Sequence, residues 1–231
     1  MTESSESQRS RGKHPAEEVL YSRIVEAITD KQLRPGEHLN EVKLAESYAV
    51  PRSRVHRVLE RLRDEEVVAF ELNRGAFICR PTVEESMHVL EARRHLEYSV
   101  IRLVCQRHTP EQISMLRDFL VEEQAVFDRR DPQANRKAGE FHMLLARMPG
   151  NPVLERMLVN LIRRGVLIQS VYESSSGLLC LTDEHRRIVE FIAQNRPEEA
   201  VHEMAHHFDH IITSLDLHAG RGSATSIYSV P

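Results

Sequence analysis

Three histidines occupy matching positions on three separate apolar stripes. His142 sits beside Phe141, Leu145 and Met148; His185 precedes Ile188, Val189 and Ile192; His207 lies with Ala200, Met204 and Ile211. At helical spacing each of these rings belongs to a face that should point into a core. A single histidine in such a place is ordinarily a hydrogen-bonded core residue. Burying three imidazoles is costly unless each is satisfied, and one shared divalent cation would satisfy all of them at once. Three neutral imidazoles with an open position suit Zn²⁺ or Ni²⁺, water or a ligand oxygen completing the shell. A second row, His202, His206 and His210, runs at i, i+4, i+8 on the same segment as His207. It reads as a solvated face pointing away from the His207 stripe, although such a row can bind transition metals at a surface.

A different chemistry is concentrated in Pro51 to Arg63, PRSRVHRVLERLR. Arg52, Arg54, Arg57, Arg61 and Arg63 stand against a single acid, Glu60, in a chain whose formal net charge is −4. The positive charge is therefore positional, and it points at a polyanion. At helical spacing Val55, Val58, Leu59 and Leu62 make one apolar stripe, leaving Arg52, Arg54, His56, Arg57 and Arg61 elsewhere on the surface. Pro51 suits a first helical turn, where the N–H it lacks has no partner. Taken alone, the segment reads first as a solvated basic helix and second as one whose first turns enter a DNA major groove.

The flanking elements discriminate. Asn40 is a good N-cap, Leu39 with Leu44 forms a hydrophobic staple, and a short helix runs to about Ser47. Tyr48-Ala49-Val50 then turns into the arginine helix, a helix-turn-helix arrangement with the second helix as reader. After Asp64-Glu65-Glu66 ends that helix, Val67–Phe70 and Ala76–Cys79 read as two strands with Asn73-Arg74-Gly75 at the tip. A hairpin there is a wing, and Arg74 beside Gly75 could approach a minor groove.

The 231 residues suffice for two modest domains. Residues 1–14 read as a flexible arm whose Arg9, Arg11 and Lys13 could brush phosphates. Residues 15–80 form the DNA-binding unit, beginning with a helix from Glu17 that carries Val19, Leu20, Ile24, Ala27 and Ile28. Thr82-Val83-Glu84-Glu85 is a capping box opening a second domain, 82–218. That domain reads as six helices, about 83–107, 110–129, 132–148, 152–173, 183–195 and 197–218, and 219–231 as a loose tail. The fold class is mainly α: a winged helix-turn-helix domain followed by an all-α six-helix bundle. Cys79, Cys105 and Cys180 are widely spaced and read as reduced thiols. With no secretory leader and no apolar run of about 18 residues, the expected location is cytoplasmic, away from any membrane.

Residues 17–81 resemble the winged helix-turn-helix domain of the GntR family of bacterial transcription regulators. The resemblance is carried by Pro35-Gly36, by LNEVKLAE from Leu39 to Glu46, and by NRGAFI from Asn73 to Ile78. It implies that Arg52 is the base-reading arginine and Ser53 a hydroxyl contact. His56 stands where relatives usually have a second arginine, and Arg54 and Arg57 where they have neutral or acidic residues, so the operator should differ from the commonest family site. The DNA-contacting set is then Arg52, Ser53, Arg54, His56 and Arg57, with Asn73, Arg74 and Gly75 on the wing.

The second domain is similar to the all-helical FCD domain of the FadR subgroup, through Glu91 to Glu97, Glu140-Phe141-His142, Gly150 to Leu154, Asp183 to Ile188 and the step from His185 to His207. The resemblance implies a divalent metal, often zinc or nickel, on His142, His185 and His207, helping to hold a small carboxylate effector. Relatives add an Asp or Asn one turn before the first histidine; here that position is Ala138. Glu140 should point to another face. Arg93 matches an arginine that faces the effector, where a guanidinium can clamp a carboxylate, although a surface ion pair with Glu97 at i+4 reads equally well. Arg163 and Arg164 could add a second pocket charge.

The expected protein is a homodimeric, ligand-responsive repressor on a palindromic operator, two reading heads roughly doubling the binding free energy. Two alternatives share the three-histidine centre. One is a metal-dependent hydrolytic enzyme, for which no acid beside the cluster offers itself as general base; the other is a dedicated metal sensor.

Overall fold

The structure, a computed structural model, describes residues 14–129, 131, 133–173 and 182–217. Cys180, the tail from 219 and all of the arm except its last residue lie outside these. His14 caps the first helix, α1 (Pro15–Thr29), its Nδ1 accepting from the Ala16 N–H at 3.3 Å. Pro15 at the first position starts this helix two residues before Glu17. Tyr21 joins Leu20, Ile24 and Ile28 on the buried stripe, whereas Val19 is exposed.

Pro35-Gly36 turns the chain, with Gly36 at φ +82° and its N–H donating to the Ile78 carbonyl. A two-residue strand, β1 (His38–Leu39), follows; it is too short to show an alternation in sequence and exists because β3 offers it a partner. Asn40 caps α2 (Glu41–Ser47), its side chain accepting from the N–H groups of Val42 and Lys43 at 3.0 Å. Next comes α3 (Arg52–Asp64), with Pro51 at the N-cap just outside it. Val55, Val58, Leu59 and Leu62 are all buried, as the stripe requires. The wing is β2 (Val68–Glu71) and β3 (Gly75–Ile78), giving an antiparallel sheet in the order β1-β3-β2. At its tip Asn73 and Gly75 have positive φ, and a side chain at Gly75 would begin 3.0 Å from the His38 ring.

Thr82 and Glu85 make the reciprocal capping box of α4 (Val83–Arg107), and Thr109 with Gln112 repeats it for α5 (Pro110–Asp128). Then follow α6 (Ala134–Arg147), α7 (Pro152–Tyr172), α8 (Thr182–Ala193) and α9 (Pro197–Thr213). The last helix ends before 218 because Leu215 turns to bridge Glu173. α4 packs against α6, α7, α8 and α9. The core between them holds Ile101, Leu116, Phe141, Leu145, Leu158, Ile188 and Phe208, each worth about 1.5–3 kcal/mol of burial.

The two domains touch chiefly through α7, and Arg136 of α6 adds an ion pair with Asp30 at 3.5 Å. Leu167 of α7 packs into the hydrophobic core of the winged domain. Beside it Asn160 donates to the Glu65 carbonyl at 3.1 Å, and Arg163 and Arg164 pair with Glu65 and Glu66 at 3.0 and 2.9 Å.

Candidate functional site

α2 and α3 form the helix-turn-helix, and α3 offers one end to solvent. Arg52 is 67% exposed and only loosely paired with Glu41, at 3.8 Å; Ser53 is also exposed. His56 stands beside them, its Nδ1 3.0 Å from Glu41 and its ring edge-on to Phe70 of the wing. The other arginines turn toward α1. Arg54 and Arg57 both reach Glu17, at 3.3 and 3.1 Å, and Arg57 holds that carboxyl below its usual range. Arg61 binds Glu18 at 2.6 Å and lies over the Tyr21 ring. Much of the arginine charge is thus met inside the domain, and Arg52, beside the exposed Ser53, is the arginine of the expected α3 set held most loosely by an acid. On the wing Arg74 is exposed, ion-paired with Glu71 and 4.9 Å from the Phe77 ring centre, while Asn73 and Gly75 shape the turn that presents it.

In the helical domain α6, α8 and α9 bring the three expected histidines together. His142, His185 and His207 are buried, with relative exposures of 3%, 0% and 0%. The Nε2 atom of His207 lies 3.2 Å from that of His142 and 3.3 Å from that of His185. Behind the rings stand three buried glutamates that the sequence reading did not single out for this role. Glu97 on α4 lies 2.6 Å from His142 Nδ1, Glu123 on α5 2.9 Å from His185 Nδ1, and Glu184 on α8 2.8 Å from His207 Nδ1. One signal could have found them. Each is an acid on an apolar helical stripe: Glu97 in step with Val100, Ile101 and Val104, Glu123 with Leu116 and Leu120, and Glu184 with Ile188 and Ile192. These acids do not rescue the hydrolytic alternative, because they stand on the Nδ1 side, where they orient rings and do not face a reacting water.

This donor set fits a divalent metal. In the tautomer a cation would select, each Nδ1–H donates to a carboxylate and all three Nε2 lone pairs converge on one point. Metal–nitrogen bonds of about 2.0–2.1 Å at tetrahedral angles set nitrogens roughly 3.3–3.4 Å apart, close to the spacing found. The charge also balances: three carboxylates, the Arg93 guanidinium and one dication are together neutral. Without a cation, burial pushes Glu97 up and Glu123 up to about 8, and pushes His185 down to about 3, His207 down to about 4 and His142 well below its ordinary value. Glu184 moves the other way, held low by His207 and His210 against its own desolvation.

A cavity of about 30 Å³ opens beside His142 and His207, lined also by Arg93, Ala138, Gln169 and Glu173. Ala138 thus places a methyl group on the wall of this cavity. Arg93 does pair with Glu97 at i+4, but in the core and not at the surface. Its Nε donates to Glu97 at 2.7 Å, its side chain is 4% exposed, and it lines the cavity above Phe208. Gly165 leaves it room, since a side chain there would begin 3.0 Å from its Nη1. Arg163 is not in this cavity: it follows the cavity-lining Ile162 onto another face of α7, against Glu65 and Tyr21 of the winged domain. Arg164 likewise pairs with Glu66, so neither supplies a second pocket charge.

Residues 16–78 match the bacterial regulatory proteins of the gntR family, and residues 88–210 match the FCD domain. The Nta operon transcriptional regulator of Aminobacter aminovorans is 30% identical over 200 residues, 85% of this chain and 92% of the relative. The HTH-type transcriptional regulator YdhC of Bacillus subtilis is 27% identical over 195 residues, 83% and 87%. Among solved structures, E. coli McbR/YncC superposes with a TM-score of 0.79 over 90% of this chain and all of that one, at 16% identity. A GntR regulator from Rhodococcus sp. RHA1 superposes with 0.71 over 86% and 98%, at 20% identity. No helix among the described residues is long and apolar enough to cross a membrane. A winged helix-turn-helix domain that matches the gntR family, packed on a bundle that matches the FCD domain, makes this chain a member of the GntR family of bacterial transcription regulators, a DNA-binding protein and not an enzyme.

Proposed function

We propose that this regulator is a homodimeric repressor that releases a palindromic operator when a small carboxylate binds beside a divalent metal held by His142, His185 and His207. The observation that carries the metal is the convergence of three Nε2 atoms, each ring fixed from behind by its own buried glutamate. Zinc or nickel would supply a Lewis-acidic centre with positions open toward the cavity. Arg93, already in that cavity, would clamp a carboxylate. Relatives named NanR, 24% identical, are called repressors, which supports the sign of the response.

The route from pocket to DNA is short. Ile162, Val166 and Gln169 of α7 line the cavity, while Arg163, Arg164 and Leu167 of the same helix hold the winged domain. Glu173, at the cavity, also pairs with Lys31 at the end of the first DNA-domain helix. A ligand that shifts α7 changes how the heads are held, and two linked heads bind only when their spacing suits both half-sites.

The test uses untagged, metal-loaded protein and a duplex selected from random DNA. A panel of small mono- and dicarboxylates should contain at least one that raises thermal stability and weakens operator binding, and this response should vanish in His185→Ala. If metal alone changes operator affinity and no carboxylate does, the protein is a metal sensor.

A further inference from the structure

The row His202, His206, His210 is not simply a solvated face. Glu184 of α8 is 4% exposed, and its two oxygens meet different histidines of α9. Oε2 faces His207 Nδ1 at 2.8 Å. Oε1 points outward, where it contacts His210 Nδ1 and lies 3.5 Å from His206 Nδ1. The His206 and His210 rings are one helical turn apart and meet edge-on, with centres 4.2 Å apart. One donor atom from each of Glu184, His206 and His210 falls within 4.8 Å of the others.

We propose that Glu184, His206 and His210 form a second divalent-metal site, bridged to the buried histidine centre by the Glu184 carboxylate. Two imidazoles and one carboxylate suit first-row ions such as Zn²⁺, Ni²⁺ and Cu²⁺. The i, i+4 spacing puts both imidazoles on one face of α9, and Glu184 on α8 supplies a charged ligand whose position is already fixed by His207. His206 and His210 are 53% and 42% exposed, so an ion can enter from solvent and waters can complete its shell. The same exposure makes this site weaker than the buried one. His210 also lines the cavity, so the outer ion lies beside the space that an effector would use.

The shared carboxylate couples the two sites. A cation on Oε1 draws charge from Glu184, weakening the acceptor that fixes His207, so occupancy of the outer site lowers affinity at the inner one, and the reverse holds by linkage. The outer site does not depend on the regulatory reading, nor on the inner site being occupied.

Untagged full-length protein, stripped with chelator and dialysed against Zn²⁺, should take up two equivalents per chain, a tight one and a weaker one, by elemental analysis and calorimetry. His206→Ala and His210→Ala should each lose the weaker equivalent and keep the tight one. His185→Ala should lose the tight one and keep the weaker, so failure of the inner site is read separately. His202→Ala, outside the group, should keep both. Uptake of a single equivalent by wild-type protein at zinc well above the protein concentration overturns the proposal. So does a second equivalent that survives in the His206→Ala/His210→Ala double variant, or one that is lost in His202→Ala, which would make it a helical row without Glu184. Unchanged helix content by circular dichroism confirms that the exposed substitutions leave the fold intact.

Discussion

On α3 each arginine meets an acid near the surface; in the bundle each of the three histidines meets its acid in the core. Arg54 and Arg57 share Glu17, Arg61 takes Glu18, Arg63 takes Asp64 and Arg52 sits loosely by Glu41. The outermost of these pairs, those of Arg52, Arg57 and Arg63, are partly solvated and worth little in stability, so a phosphate can replace the carboxylate at small cost. The pairs His142–Glu97, His185–Glu123 and His207–Glu184 are buried, with only the outer oxygen of Glu184 turned to half-exposed histidines. There, removal of one partner leaves a buried group unsatisfied, a penalty of several kcal/mol. The same pairing of base with acid thus makes one surface adaptable and the other rigid. An adaptable surface suits a polyanion whose contacts form and break; a rigid one suits a fixed coordination geometry.

The contrast can be broken at four points. The largest effect is expected from His185→Ala, which should abolish metal retained through purification, read by elemental analysis. Glu123→Gln, which leaves the ring in place but removes its charged anchor, should weaken metal affinity about 10- to 100-fold. Equal loss in the two variants would show that the glutamate is more than an orienting group.

Next comes Arg52→Ala, expected to cost about 1–3 kcal/mol of operator binding and to relax base choice at one position. Unchanged affinity and unchanged footprints would mean that α3 is not the reader.

A third effect is pH dependence of metal uptake. In the metal-free protein burial holds Glu123 at about 8, so below that pH it carries a proton that must leave before the carboxylate can accept from His185 Nδ1–H. Uptake therefore releases a proton below about pH 8, and affinity should rise with pH, by up to about tenfold per unit, and level off above it. His185 and His207, held down to about 3 and about 4, are already neutral and add no competing proton near pH 7. Calorimetry in buffers of different ionisation enthalpy counts the protons; a flat profile from pH 6.5 to 8.5 would refute the assignment.

The smallest effect belongs to Glu17→Gln. Freeing Arg54 and Arg57 from α1 should raise non-specific DNA affinity a few-fold and steepen its salt dependence, measured as the slope of log affinity against log salt. If the slope does not change, those arginines serve α1 alone.

The sequence by itself determined whatever is local. The stripe Val55, Val58, Leu59, Leu62, the Asn40 cap and the two capping boxes are written within a few residues, and the helices and their buried faces follow from them. It also marked His142, His185 and His207, because an imidazole on an apolar stripe is conspicuous wherever that stripe packs. Tertiary structure decided what depends on distant partners. β1 exists only against β3, because two residues carry no period of their own. Arg163 faces the winged domain and not the cavity, because one helix has two faces and periodicity does not say which neighbour each will meet. The three glutamates could be seen as acids on buried stripes, but that each stands behind one histidine is fixed only where α4, α5 and α8 pack. Charge on α3 divides in the same way: its amount is in the sequence, while the share left for DNA was settled by the approach of Glu17 and Glu18 from α1.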